Sequence, residues 1–283
     1  MAFDIPKIYE KNFALFFAED DFSKNYAYLN SLPSKKVECV LKLKDDLVLA
    51  GLPFFFETFN YLAKEKIEYS DFMPNEGKTF KKSDFVEIKF ELPFNIALTG
   101  ERIALNLLQR ASSVATYTNQ FVQKSGHVKI LDTRKTTPGL RFVEKYAVKV
   151  GGGYNHRFGQ MDAWMIKDNH KEFFGGVEMA IKYFQDLSTF YQPLVVEIHD
   201  LDELASAYQA GAKHFLLDNF TPAEIQHAIE IKKEDMTYEV SGGISLKNIE
   251  GYILNGVDAI SSGSLTYNAP QVDLSLKFKR RSL

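Results

Sequence analysis

Between residues 126 and 266 the chain alternates short apolar runs with stretches of helical periodicity. This alternation predicts strands that are each followed by a helix, the pattern of a parallel α/β fold. Six runs end in a polar or glycine-rich tip, and these tips are 132–135, 167–169, Glu197, 218–219, 241–243 and 262–264. A complete eight-unit barrel needs about 250 residues, so we predict a small, incomplete parallel α/β barrel of about six strands. Its active site is expected at the C-terminal ends of the strands, where the tips would meet.

The first 98 residues lack this regular repeat and predict a separate α+β lobe. Two strands are predicted at 37–43 and 84–92, and a helix at 54–66. A long amphipathic helix is predicted to begin at Thr99, whose hydroxyl can cap it. Later helices are predicted at 175–187, 201–210, 221–232 and 245–255.

These patterns predict three parts of the chain. They are an N-terminal α+β lobe at 1–108, an α/β barrel catalytic domain at 109–266, and a C-terminal segment at 267–283 that packs back on the lobe. A net charge of −3 over 283 residues gives no bulk attraction to nucleic acid or anionic lipid, so any anion site must be local. The longest apolar stretch, 47–56, falls short of the ~20 residues that span a bilayer. We therefore expect neither a nucleic-acid nor a membrane partner.

Cys39 is the only cysteine, so no intramolecular disulfide can form and a cytoplasmic location is expected.

Basic residues are concentrated at two of the predicted strand tips and in one glycine-rich segment. Arg134 and Lys135 follow the first strand, and an arginine fork or a lysine point charge suits carboxylate and phosphate groups. A solvated basic loop is the alternative interpretation. Three glycines at 151–153 lead to His156 and Arg157. Together with Lys167, these residues form a group of cations suited to a dicarboxylate.

Two carboxylates and two glycine-containing turns occupy the remaining tips. Glu197 and Asp218 each end a buried run, where they could hold Mg²⁺ with substrate phosphates or stabilise positive charge developing on a sugar ring. The turns at 241–243 and 262–264 offer backbone N–H groups, and barrel enzymes often bind phosphate with the loops after their last strands. The combination predicts an enzyme for a highly anionic, phosphate-bearing substrate.

Several sequence blocks occur in the order of one known family. They are 100–106, 132–141, 151–157, 166–170, Val196–Glu197, 217–219, 241–244 and 262–266. On these blocks the chain resembles nicotinate-nucleotide pyrophosphorylase, also called quinolinate phosphoribosyltransferase. One departure is Tyr267, where the family often has histidine, so a charged contact to phosphate is lost at that position.

The resemblance implies phosphoribosyl transfer from phosphoribosyl pyrophosphate to the ring nitrogen of quinolinate, with decarboxylation. The products would be nicotinate mononucleotide, pyrophosphate and CO₂, on the de novo route to NAD, with Mg²⁺ required. The implied quinolinate-binding residues are Arg102, Thr133, Arg134, His156, Arg157 and Lys167. The implied residues for phosphoribosyl pyrophosphate are Lys135, Glu197, Asp218, Ser241, Gly242, Gly243, Ser262, Gly263 and Ser264.

The resemblance also assigns roles within that set. Lys135, Glu197 and Asp218 would be catalytic, and Glu197 and Asp218 would bind Mg²⁺ directly or through water. Arg102 would come from the other subunit of a homodimer, or of a higher even-numbered homo-oligomer with shared active sites. Two alternatives stay open: transfer to a related pyridine carboxylate such as nicotinate, and a non-catalytic nucleotide-binding regulator on the same fold.

Overall fold

The computed structural model describes residues 7–20 and 22–279. The described residues form two compact units. The first contains the described residues of Met1–Tyr117, Thr137–Gly151 and Ala269–Leu283, and the second contains Thr118–Thr136 and Gly152–Asn268. This division differs from the predicted boundaries, since 109–117 and 137–151 belong to the first unit. Residues 280–283 of the predicted C-terminal segment lie outside the described residues.

A three-stranded antiparallel sheet, in the order β11-β1-β4, forms the centre of the first unit. These strands are β1 (Lys36–Leu43), β4 (Glu87–Pro93) and β11 (Leu274–Lys279), and a separate pair joins β2 (Leu47–Val48) and β3 (Thr79–Phe80). Ile88, Phe90 and Leu92 are buried between exposed charged residues, as the two-residue period of a strand requires. The strand predicted at 84–92 is observed at Glu87–Pro93, so it begins later than predicted.

Five helices belong wholly or mainly to the first unit. They are α1 (Lys7–Glu19), α2 (Phe22–Ser31), α3 (Leu52–Leu62), α4 (Phe94–Lys124) and α5 (Arg141–Val150). Phe54, Phe55, Phe56 and Phe59 of α3 are all buried, so four of the 24 phenylalanines of the chain pack in the core through this helix. The helix predicted at 54–66 is observed at Leu52–Leu62, so it begins and ends earlier than predicted.

The predicted start of the long helix was wrong. The helix α4 begins at Phe94, so Thr99 lies inside it and does not cap it. Asn95 N donates to Pro33 O and Phe94 N to Lys35 O, and these contacts with a distant segment fix the first turn. Arg102 therefore lies in the third turn of α4 rather than in the first.

The second unit is built on a six-stranded parallel sheet in the order β5-β10-β9-β8-β7-β6. Its strands are β5 (Lys129–Leu131), β6 (Trp164–Ile166), β7 (Leu194–Ile198), β8 (His214–Asp218), β9 (Thr237–Ser241) and β10 (Ala259–Ser261). Successive strands are neighbours from β6 to β10, and the last strand returns to pair with the first. In the described part of the chain β5 and β6 are the two edges. This confirms the predicted incomplete barrel.

The helices of the second unit follow the strands. They are α6 (Asp168–Phe174), α7 (Val177–Leu187), α8 (Leu201–Gln209), α9 (Pro222–Glu230) and the short α10 (Ser264–Tyr267). The predictions at 175–187, 201–210 and 221–232 are confirmed to within two residues at each end. At the start of α9, Thr221 and Glu224 form a reciprocal capping box and Pro222 occupies the first turn.

The predicted helix at 245–255 was wrong. Only Ile249–Tyr252 forms a short 3-10 helix. The side chain of Asn248 accepts a hydrogen bond from Ser245 N at 2.7 Å and donates one to Gly243 O at 3.1 Å. Such local side-chain bonds compete with regular helix formation. Among the described residues, no helix is long and apolar enough to cross a membrane.

Candidate active site

A cavity of about 540 Å³ lies at the C-terminal ends of the strands of the second unit. The predicted site residues that line it are Thr133, Arg134, Lys135, His156, Arg157, Lys167, Glu197, Asp218, Ser241, Gly242, Gly243, Ser262 and Gly263. The remaining lining residues are Met165, Leu216, Asn219, Glu239, Ile244, Ser261 and Tyr267. Parallel strands place all their C-terminal tips at one edge, which is why residues so far apart in sequence share one cavity.

The loop after β5 brings Arg134 and Lys135 to the cavity. Lys135 N donates to Thr133 Oγ1 at 3.0 Å, and Thr266 Oγ1 donates to Lys135 O at 2.7 Å. The lysine backbone is thus held from both sides. A Cβ at Gly263 would lie 2.9 Å from Lys135 Cδ and 2.7 Å from Tyr267 Cε1, so the glycine leaves room for both side chains.

A buried carboxylate fixes the segment that carries His156 and Arg157. Asp132 is fully buried and accepts hydrogen bonds from Asn155 Nδ2 at 2.6 Å and from His156 N at 2.9 Å. Arg157 Nη1 donates to Ala163 O at 3.0 Å. Asp132 does not line the cavity, and its carboxylate holds the segment that carries His156 and Arg157 in place.

The guanidinium of Arg157 lies in a crowded electrostatic environment. Burial lowers the pKa of Arg157, and the charge of Arg134 lowers it further, whereas Asp162 and Glu239 act in the opposite direction. Two guanidinium groups close enough to repel each other form a site that an anionic ligand would stabilise.

Lys167 and Glu197 are paired in the structure. Lys167 Nζ donates to Glu197 Oε2, and Lys171 Nζ donates to Glu197 O at 3.1 Å. Asp168, Glu197 and His199 bring one potential ligand atom each within 4.8 Å of one another. Because the nearby lysines already neutralise these carboxylates, the cluster alone does not define a metal site.

The tips of β8 and β9 are joined by a polar network. Asp218 accepts a hydrogen bond from Ser241 Oγ and another, at 2.8 Å, from Asn219 Nδ2. Asn219 has a φ of 59° and donates its N–H to Ser241 O at 2.9 Å. Gly242 has a φ of 99°, and a Cβ there would lie 2.6 Å from Asn219 N. The glycine therefore lets the two turns approach closely enough to hold Asp218.

The last turn is built on two serines with different positions. Ser262 Oγ donates to Ile244 O at 2.9 Å and lies 2.6 Å from Ser264 Oγ. Ser264 is buried and, unlike Ser262, does not line the cavity. Its side chain supports the turn from behind, and the predicted contact of Ser264 with phosphoribosyl pyrophosphate stays a prediction.

Arg102 is exposed on α4 of the first unit and is absent from the lining of the cavity. Its predicted role stays a prediction.

Sequence reasoning missed Glu239, which lines the cavity from β9. Its Oε2 lies 3.2 Å from His156 Nε2. A signal was present in the sequence, because Glu239 is a single charge between the buried residues Tyr238 and Val240. A buried strand rarely carries an unpaired charge.

A parallel barrel with cations, carboxylates and glycine turns at its strand tips is the architecture of an enzyme that acts on a phosphate-bearing anion. Residues 25–112 match the family described as "Quinolinate phosphoribosyl transferase, N-terminal domain". Residues 114–277 match "Quinolinate phosphoribosyl transferase, C-terminal domain". The chain therefore belongs to the quinolinate phosphoribosyltransferase family.

Similarity to known proteins covers almost the whole chain. A Bacillus subtilis protein named "Probable nicotinate-nucleotide pyrophosphorylase [carboxylating]" is 35% identical and aligns with 92% of this chain and 90% of its own. The human nicotinate-nucleotide pyrophosphorylase [carboxylating] is 38% identical over 92% of this chain and 88% of its own. The Francisella tularensis nicotinate-nucleotide pyrophosphorylase structure has a TM-score of 0.84 and 32% identity, covering 98% of each chain. Human nicotinic acid phosphoribosyltransferase, at 12% identity and a TM-score of 0.56 over 90% of this chain and 73% of its own, shares the fold alone.

Proposed function

We propose that this protein transfers the phosphoribosyl group of phosphoribosyl pyrophosphate to the ring nitrogen of quinolinate, with loss of CO₂. The products are nicotinate mononucleotide and pyrophosphate, and the reaction belongs to NAD biosynthesis. Membership of the quinolinate phosphoribosyltransferase family over both parts of the chain is the observation that carries this proposal. The cavity at the strand tips of the second unit is the proposed site.

The part of the cavity lined by Arg134, Arg157 and Lys167 is proposed to bind quinolinate. Its two carboxylates need several donors, and Arg134, Arg157 and Lys167 line the same cavity. An arginine can bind a carboxylate through two parallel hydrogen bonds, which fixes the plane of the ring as well as its position. Thr133 and His156 line the same cavity and are proposed to belong to this subsite. Lys167 would release Glu197 as it turns to the incoming carboxylate.

The glycine turns and the strand-tip carboxylates are proposed to bind phosphoribosyl pyrophosphate. The turns at 241–243 and 262–263 are proposed to hold the 5′-phosphate through the backbone N–H groups of their glycines, since the N–H of Ser262 already donates to Leu131 O. Lys135 suits the pyrophosphate. The side chains of Glu197 and Asp218 suit the ribose and Mg²⁺, since this ion prefers oxygen ligands and retains several waters. When bound, Mg²⁺ would neutralise charge on the pyrophosphate. Each Asp218 oxygen accepts one hydrogen bond in the structure, which leaves lone pairs for a direct or water-mediated contact.

The chemistry requires positioning and electrostatics more than a covalent nucleophile. As pyrophosphate leaves, C1 of the ribose becomes cationic, and the carboxylates of Glu197 and Asp218 would stabilise that charge. After the transfer the ring nitrogen is a pyridinium. The electron pair of the breaking C–C bond stays on the ring carbon beside the cationic nitrogen, which stabilises it as the carboxylate leaves as CO₂, and a proton then replaces the carboxylate.

The proposal includes a shared active site. Arg102 would enter the cavity of the other subunit in a homodimer or a higher even-numbered homo-oligomer. The cytoplasmic location expected from the single cysteine is proposed with it.

Two competing functions are distinguished by one assay. Purified protein is incubated with phosphoribosyl pyrophosphate, Mg²⁺ and either quinolinate or nicotinate, and nicotinate mononucleotide is quantified by chromatography. Because the cavity offers more cations than a monocarboxylate needs, quinolinate should be strongly preferred. Equal turnover of both acids would favour the alternative acceptor. Failure to form product from either acid, with binding of phosphoribosyl pyrophosphate detected separately by calorimetry, would favour the regulator.

A further inference from the structure

Glu239 and His156 form a largely buried pair at the wall of the cavity. Their side chains are 14% and 11% exposed, and Glu239 Oε2 lies 3.2 Å from His156 Nε2. Glu239 comes from the interior of β9, and His156 from the glycine-rich segment after α5. The proposed function gives Glu239 no role, although the residue lines the cavity.

The hydrogen bonds of His156 define where its proton lies. Arg157 N–H donates to His156 Nδ1 at 2.6 Å. An imidazole nitrogen that accepts a hydrogen bond carries no proton, which places the ring proton on Nε2. That Nε2–H faces Glu239 Oε2, which accepts it. Each ring nitrogen therefore has a protein partner.

We infer that Glu239 is a positioning residue, which holds His156 in the Nε2–H form so that Nδ1 fixes the backbone of Arg157 in the dicarboxylate subsite. The side chain of His156 then contributes to substrate binding through Arg157. This inference rests on the proposed assignment of Arg157 to quinolinate. It adds Glu239 to the residues that determine affinity for that substrate.

The charge of Glu239 supports the same role. Among the charges around Arg157, Glu239 and Asp162 raise the pKa of the guanidinium against the effects of burial and Arg134. Glu239 Oε1 is buried and has no hydrogen-bond partner among the described residues. If Glu239 only filled space, an apolar side chain would make the protein more stable at this position. A buried carboxylate oxygen without a hydrogen-bond donor is destabilising.

Two variants distinguish the role of Glu239 as a hydrogen-bond acceptor from the role of its negative charge. Glu239→Gln keeps an oxygen that can accept the His156 Nε2–H, whereas Glu239→Leu removes it. We expect Glu239→Leu to raise the KM for quinolinate about 10-fold or more, the effect of losing a hydrogen bond to a charged group. In Glu239→Leu the KM for phosphoribosyl pyrophosphate should stay unchanged. Glu239→Gln should keep most of the wild-type affinity for quinolinate.

Asp258→Asn is the matched control. Asp258 Oδ2 accepts from Tyr238 N at 2.7 Å, so this carboxylate supports the same strand, but it does not line the cavity. It should leave the KM for quinolinate unchanged.

The tautomer is measured directly by ¹⁵N-detected histidine NMR spectra of the wild type, with His156 assigned from a His156→Gln variant. A proton on Nε2 in the wild type, and loss of that preference in Glu239→Leu, is the expected result. A proton on Nδ1 in the wild type overturns the inference, and so does a wild-type KM for quinolinate in a folded Glu239→Leu protein. Equal defects in the Gln and Leu variants also overturn it, because the acceptor would then be irrelevant. The NMR measurement needs no turnover, so it tests the pair even if the proposed reaction fails.

Discussion

The glycine turn after β9 allows a sharp test, because only one of two adjacent glycines lies close to the neighbouring turn. Gly242 and Gly243 both have positive φ angles, 99° and 61°. A Cβ at Gly242 would lie 2.6 Å from the backbone N of Asn219, whereas a Cβ at Gly243 meets nothing within 4 Å. An alanine at either position therefore has an unfavourable backbone conformation, but only the one at position 242 also collides.

The expected cost follows from these two contributions. A residue with a Cβ in the left-handed region costs about 1–2 kcal/mol, which is the whole expected effect of Gly243→Ala. Forcing an extra carbon into a filled space adds about 1–3 kcal/mol, so Gly242→Ala should lose about 2–5 kcal/mol. If Asn219 moves instead, its hydrogen bond to Asp218 is lost, and the KM for phosphoribosyl pyrophosphate should rise as well.

The measurement is urea unfolding of both variants beside the wild type, together with steady-state kinetics in which each substrate is varied. Gly242→Ala should unfold at a lower urea concentration than Gly243→Ala. If the two variants unfold at the same concentration and Gly242→Ala keeps the wild-type KM for phosphoribosyl pyrophosphate, the close approach of the two turns is not what requires glycine.

Two further predictions concern the proposed catalytic groups. Glu197→Gln should lower kcat by about 10²–10³, the typical effect of losing one electrostatic contact to a developing charge, with little change in the unfolding midpoint. Glu203→Gln is its control, because Glu203 shares the Lys171 network at 2.7 Å but lies outside the cavity; near-native kcat in Glu197→Gln would count against its role. Arg102→Ala should be inactive with quinolinate yet still dimerise by size-exclusion chromatography, and mixing it with Glu197→Gln should restore some activity because one site of the mixed dimer is intact. If subunit exchange is verified and no activity returns, the active site is not shared.

Local patterns in the sequence determined much of this protein. Alternation of apolar runs and amphipathic stretches was enough to predict the parallel strands and most of the barrel helices, because backbone periodicity and caps act over a few residues. The start of α9 is an example, since Thr221, Pro222 and Glu224 specify it within one turn. The convergence of polar tips also followed, since parallel strands have all their C-terminal ends at one edge.

Only the tertiary structure decided the features that depend on distant contacts. The helix α4 begins at Phe94 because its first N–H groups bond to Pro33 and Lys35, more than fifty residues earlier in the chain. The sequence shows Glu239 as an isolated charge in a strand, and its role follows only when His156, eighty-three residues away, lies 3.2 Å from it. Ser262 and Ser264 look equivalent in sequence, yet only Ser262 reaches the cavity. Burial and hydrogen-bond partners are set by the packing of the whole chain, which a local pattern does not contain.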